Sequence, residues 1–184
     1  MRTTDAKDRV VVALESLLNE MPLDKIAIRT LAEKAGLSRQ SFYYHFSNIF
    51  EVCQYALRYD IPPNATMFEA VDTISGSLER HPAITLAFMY SEYRDTMREI
   101  IHTAIRDGCM DFLVNIFSMN IVSEYIEDLT DFAAEGYIGI LGDWIQHGMD
   151  YDIHERLEHV HRGLRDVFPR GAKLIYEKEH DAQF

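Results

Sequence analysis

The chain reads as all-α: a small three-helix domain over residues 1–60, then a larger helical domain over 61–184. Apolar residues recur at steps of three and four along most of its length, the repeat of a single helix face. No run sustains the period-two alternation of a strand. Residues 28–46, IRTLAEKAGLSRQSFYYHF, place two short amphipathic helices around one glycine-bearing corner. With 47% hydrophobic residues among 184, there is ample material for a buried core.

A first helix presents Val10, Leu14, Leu17 and Met21, with Val11 and Leu18, on one face and ends before Pro22. Ile28, Leu31, Ala32 and Ala35 form the apolar stripe of a two-turn second helix. Gly36 stands where a left-handed residue stops that helix, and Leu37 plugs the corner. Ser38 is suited to cap the third helix through its hydroxyl. There, Phe42 and Phe46 are one turn apart and point inward, so Arg39, Gln40, Tyr43 and Tyr44 share the opposite face. The first helix braces this pair. A fourth, from about residue 48 to 59, carries Ile49, Val52, Ala56 and Tyr59 on one face and ends at Ile61-Pro62-Pro63. Asn64 is positioned to cap the next helix.

Amphipathic stretches then run over about 65–78, 83–93 (after a break at His81-Pro82) and 96–117. Residues 122–144 repeat apolar positions at helical spacing, with Gly136, Gly139 and Gly142 marking one side at steps of three. Each glycine inside a helix costs about 1 kcal/mol against Ala, which suggests close helix approach. The last segment carries Ile153, Leu157, Val160, Leu164 and Val167 at near-heptad spacing and ends at Pro169.

The exposed face of the third helix suits a polyanion. It has an arginine, a glutamine and two tyrosines, and no acidic residue lies between Leu37 and Phe46. Arg forks onto guanine and Gln brackets adenine, while Tyr hydroxyls and the His45 imidazole reach phosphate oxygens. The alternative, a helical hairpin with ordinary core aromatics, fails because the consecutive rings Phe42 to His45 cannot all face one core. Net charge is −12, yet its distribution agrees with a DNA reader. Residues 1–60 hold 8 Lys/Arg and 8 Asp/Glu, whereas 61–184 hold 10 and 22. Within residues 25–45 the count is 4 basic against 1 acidic.

At Leu31-Ala32, Ala35-Gly36-Leu37-Ser38, Ser41-Phe42-Tyr43 and His45-Phe46, the chain resembles the TetR/AcrR family of bacterial transcriptional regulators. The run RQSFYYHFSN is similar to a subgroup of dihydroxyacetone-kinase operon regulators and coactivators. The resemblance implies a helix-turn-helix DNA-binding domain and a dimerisation and effector-binding domain. The DNA-binding set it implies, on double-stranded operator DNA, is Arg29, Thr30, Ser38, Arg39, Gln40, Ser41, Tyr43, Tyr44 and His45. Two positions depart from the family pattern. Ala27 replaces the usual Thr or Ser cap of the second helix, and Ile49 replaces the usual Lys that begins the fourth and contacts phosphate.

The family pairs two late helices with those of a partner, so a homodimer is expected, with Gly136, Ile140, Trp144, Leu157, Val160 and Leu164 at its interface. Pairing also sets two reader helices about 34–36 Å apart, as successive major grooves require. Both late segments could equally be the core of one subunit. A small-molecule effector is expected in the middle of the chain, lined by Met67, Phe88, Met89, Tyr93, Met97, Met110, Phe112 and Phe117; Met and aromatics at helical spacing also build ordinary core. Binding of such an effector would release DNA by favouring one of two forms. The expected mode is repression by promoter occlusion. The runner-up is a coactivator of the same scaffold with weak or no operator binding of its own.

No cofactor and no metal are expected. His147, His154, His159 and His161 lack the four-residue step that places two ligands on adjacent turns, and they read as solvated. Cys53 and Cys109 read as buried thiols in a reducing cytoplasm. No G-x-S-x-G elbow, phosphate loop or H-E-x-x-H motif points to an enzyme. No secretion signal is recognised, and the most apolar window, near 132–149, includes Glu135 and Asp143 and is too polar to span a bilayer.

Overall fold

A computed structural model describes residues 5–62, 65–117 and 124–181. Among these residues the secondary structure is entirely helical: ten α-helices and one 3-10 turn. They fall into two compact units, Met1–Tyr59 with Ser77–Met97, and Asp60–Gly76 with Arg98–Phe184. The segment 77–97, read from sequence as part of the C-terminal domain, thus packs with the N-terminal helices. Asn64 and Val122 lie outside the described residues.

The first unit contains α1 (Ala6–Leu18), a 3-10 turn (Leu23–Lys25), α2 (Ile28–Lys34), α3 (Arg39–His45), α4 (Ile49–Ala56) and α6 (Pro82–Met89). It also holds the last residues of α5 (Met67–Arg80) and the first of α7 (Arg94–Phe117). α1 packs on α2, α4 and α6, and α2 on α3. Val10, Leu14, Leu17, Leu31, Phe42, Val52, Ile84 and Phe88 are buried here. Pro82 opens α6, a position where a missing N–H costs no helical bond. α4 stops at Ala56, three residues short of the expected end. The buried Ser77 hydroxyl lies 2.8 Å from the Leu57 carbonyl and 2.9 Å from that of Arg58, serving oxygens past the end of α4 that have no partner within the helix.

The second unit is built from the rest of α5 and α7 with α8 (Glu124–Gln146), α9 (Ile153–Leu164) and α10 (Val167–Asp181). Its core includes Met67, Ile74, Ile105, Leu113, Tyr137, Trp144, Leu157 and Phe168. Two residues past the end of α8, Gly148 (φ +74°) donates its N–H to the Ile145 carbonyl, while that of Met149 goes to Trp144. The Trp144 indole N–H donates to the Tyr151 carbonyl at 3.0 Å and ties the following turn to α8.

The end of the chain corrects the sequence reading. Pro169 does not terminate a helix; it sits in the first turn of α10, which begins at Val167. First-turn N–H groups have no partner within the helix, so proline fits there without losing a bond. The near-heptad run therefore spans two helices rather than one.

Candidate nucleic-acid interface

The third helix is presented by a chain of local contacts. α2 begins at Ala27 with no side-chain cap. At its other end Gly36 has φ +68°, a region where a Cβ is strained. The Gly36 N–H donates to Glu33 and that of Leu37 to Ala32, satisfying two carbonyls at the helix end. The Arg9 guanidinium adds a donor to the Ala35 carbonyl at 3.3 Å, fixing this corner to α1. Ser38 then caps α3, its hydroxyl oxygen accepting the Ser41 N–H at 3.0 Å.

Phe42 and Phe46 are buried with ring centroids 6.0 Å apart, and Phe46 meets the Tyr55 ring edge-on at 5.6 Å. These anchors turn the other face outward. Tyr44 is 85% exposed and Tyr43 44%, and Arg39 and Gln40 are also exposed. The Arg39 guanidinium lies 5.6 Å from the Tyr43 ring centroid, and Tyr44 meets the His45 ring edge-on at 5.1 Å. Arg29 and Thr30 are exposed on α2, while Ser41 and His45 are half-covered.

Three of the four basic residues in 25–45 face a carboxylate: Lys25 with Asp24 (3.3 Å), Arg29 with Glu33 (3.3 Å) and Lys34 with Glu20 (2.8 Å). Among the described residues Arg39 forms no such pair. Exposed pairs hold their partners weakly and can exchange them for phosphate, but the resting field is smaller than the charge count implies. Arg9 and Asn48 carry roles that the sequence reading missed. Asn48 caps α4 by accepting the Glu51 N–H at 2.9 Å, while the Glu51 carboxylate accepts the Ser47 N–H at 2.8 Å. An S/T/D/N-x-x-E pattern at 48–51 was the available signal for that box; nothing in the sequence pointed to Arg9.

Residues 65–166, more than half of the chain, match the family TetR_C_8, described as the transcriptional regulator C-terminal region. The chain belongs to the TetR family of transcriptional regulators. This TetR-family chain is similar in fold to NalD, the secondary repressor of the MexAB-OprM multidrug efflux pump in Pseudomonas aeruginosa. The match has a TM-score of 0.60 at 17% identity and covers 86% of this chain and 94% of NalD. It is also similar to the dihydroxyacetone kinase operon activator DhaS, with a TM-score of 0.65 at 13% identity, covering 92% of this chain and 97% of DhaS. No curated protein matches it by sequence. TetR-family regulators are not enzymes. No helix among the described residues is long and apolar enough to cross a membrane.

The structure redistributes the other sequence-predicted residues of this TetR-family regulator. Of the expected effector residues, Phe88, Met89, Tyr93 and Met97 belong to the first unit, and Met67, Met110 and Phe112 to the second. Met67 and Phe88 are core: Met67 is fully buried, and Phe88 stacks on Phe50 at 5.5 Å. The side chain of Phe117 lies outside the described residues. Of the expected interface residues, Gly136 is exposed and Ile140, Val160 and Leu164 are half-buried, but Trp144 and Leu157 are sealed inside their own unit. An apolar residue at helical spacing marks a face, not which neighbour covers it. His161 also departs from expectation. His147, His154 and His159 are exposed, whereas His161 is 2% exposed, against the rings of Phe68 (4.8 Å) and Tyr137 (5.7 Å). Cys53 and Cys109 are buried, and burial pushes each thiol up to about 12.

Proposed function

We propose that this TetR-family regulator is a cytoplasmic homodimer that reads a palindromic operator through α3 and represses transcription by occluding the promoter, with a small-molecule effector releasing it. The observation that carries the DNA reading is the outward, acid-free face of Arg39, Gln40, Tyr43 and Tyr44 on a helix held from behind by Phe42 and Phe46. Arg29 and Thr30 on α2, and Ser38, Ser41 and His45 around α3, supply phosphate contacts that set register. The domain reading that goes with this is a DNA-binding part over residues 1–60 and a dimerisation and effector part over 61–184.

Support for the dimer comes from apolar surfaces that none of the described residues covers. Phe132 is 77% exposed on α8, and Tyr125, Gly136 and Gly139 lie on the same exposed side. Among the described residues, a Cβ at either glycine would meet no atom within 4 Å, so packing among these residues does not account for them. Val167 and Leu174, seven apart on α10, are likewise exposed, and α8 packs against α10. We therefore assign the interface to α8 and α10, with Gly136 and Ile140 at it.

A gel shift with DNA upstream of the regulator's own gene tests the reading. Retardation is expected for the wild type and its loss for Arg39→Ala plus Tyr44→Ala, with far-UV circular dichroism unchanged. Equal retardation by the variant would sink the assignment of α3. The second reading is a coactivator with weak operator affinity, and it rests on Ile49 in place of the phosphate-binding Lys. It is favoured if no neighbouring promoter is retarded while the protein activates expression. A repressor and an activator share this fold, so sign must be read from a reporter gene.

A further inference from the structure

A groove of about 1090 Å³ opens in the first unit, and no residue of α3 lines it. Its walls come from the end of α1, the 3-10 turn, the start of α4, α6 and the turn at 90–93. Leu23, Ile26, Ile49 and Leu86 supply apolar surface, and Tyr90 and Tyr93 two aromatic rings. Among the described residues lining it, the only charged ones are Asp24 and Glu92, both exposed and both acidic. The DNA reading leaves this space unused.

We propose that this groove binds a lipophilic organic cation with a multi-ring apolar body. The volume exceeds slightly what a drug-sized ligand fills, so several rings fit. Burial of those rings against Leu23, Ile49 and Leu86 supplies the main attraction. Charge selects among apolar ligands: a cation gains from both carboxylates and from the tyrosine ring faces, whereas an anion is repelled by the first and gains nothing from the second. The site is partly preformed. The Tyr93 ring is wedged 4.8 Å from that of Phe50 and 6.0 Å from that of Phe88. Tyr90, at 72% exposure, is free to close over an occupant. Asp24 already faces Lys25 at 3.3 Å, but that pair is solvent-exposed and weakly held. Ile49 is the first residue of α4, and Leu23 and Ile26 lead into α2, so an occupant touches both elements that flank α3.

Isothermal titration of the full chain, without DNA, separates this site from the operator reading: either can fail alone. The probes are tetraphenylphosphonium and tetraphenylborate, near-equal in shape and opposite in charge. Tetraphenylphosphonium is expected to bind at one site, and tetraphenylborate at least about tenfold more weakly. Asp24→Asn plus Glu92→Gln should weaken the cation by about tenfold, and Ala87→Trp, which fills the groove, should abolish its binding. Glu127→Gln plus Asp128→Asn removes the same charge from exposed α8 positions and should leave affinity unchanged. Unfolding temperatures should stay at the wild-type value for all three variants, which excludes loss of fold. Equal binding of the two probes, no heat with the cation, or equal weakening by the α8 variant would each overturn the proposal.

Discussion

Phe42 and Tyr44 stand two residues apart on one helix and meet opposite environments, one fully buried and the other 85% exposed. That contrast comes from helical periodicity alone, and it marks which side chains are available to DNA. His161 shows the reverse case, where periodicity misleads. It is buried on α9 with its Nδ1 3.9 Å from Asp72 on α5 and with Tyr137 of α8 beside it, and its Nε2 has no partner among the described residues. Burial holds the imidazole below its ordinary value near 6.5, outweighing the opposing pull of Asp72 and Glu158 and adding to the push of Arg165. The unfolded chain therefore takes up this proton before the folded one does. Stability is unaffected by His161 above about pH 6.5 and falls as pH drops from there toward the folded-state value. Thermal unfolding of wild type and His161→Gln across pH 5 to 8 should diverge below about 6.5, with the variant less acid-sensitive; parallel curves would refute this. Ala27 offers a gain instead. Ala27→Ser should supply the missing cap of α2 and raise unfolding free energy by about 0.5–1 kcal/mol, read from urea midpoints.

Among the elements, α3 is a seven-residue helix too short to stand without its caps and anchors. Ser38→Ala removes the oxygen that accepts the Ser41 N–H and should cost about 1 kcal/mol. Gly36→Ala should cost at least as much, about 1–2 kcal/mol, because its φ of +68° is strained for any L side chain. Space is not the obstacle: the nearest atom to an added Cβ is the Arg9 guanidinium at 3.5 Å. α8 carries the proposed dimer face, and Phe132→Glu should convert dimer to monomer in sedimentation velocity. An unchanged sedimentation coefficient would remove α8 from the interface.

For the molecule as a whole, charge is divided in a way that suits a DNA reader with an acidic remainder. The −12 total resides in residues 61–184, and the first 60 are neutral. Operator affinity should fall steeply with salt, because each phosphate neutralised releases counterions. With Arg39 the one basic residue of the 25–45 region lacking a carboxylate pair among those described, the slope of log affinity against log salt should shrink by about one on Arg39→Ala. A slope unchanged by that substitution would show that Arg39 makes no phosphate contact.

The helical class and the corner at Gly36 were legible in the residues, as were the Ser38 cap and the two faces of α3. Each depends on neighbours within about four positions, where backbone sterics and side-chain reach leave few choices. The pattern also exposed Ala27 and Ile49 as departures. It could not assign partners across the chain. Packing placed residues 77–97 with the N-terminal helices, brought Ser77 onto the carbonyls that follow α4, sealed Trp144 and Leu157 into the core, and drew His161 inside. Helical spacing states that a face is apolar; which surface covers it depends on contacts far apart in sequence, and those exist only once the chain has folded.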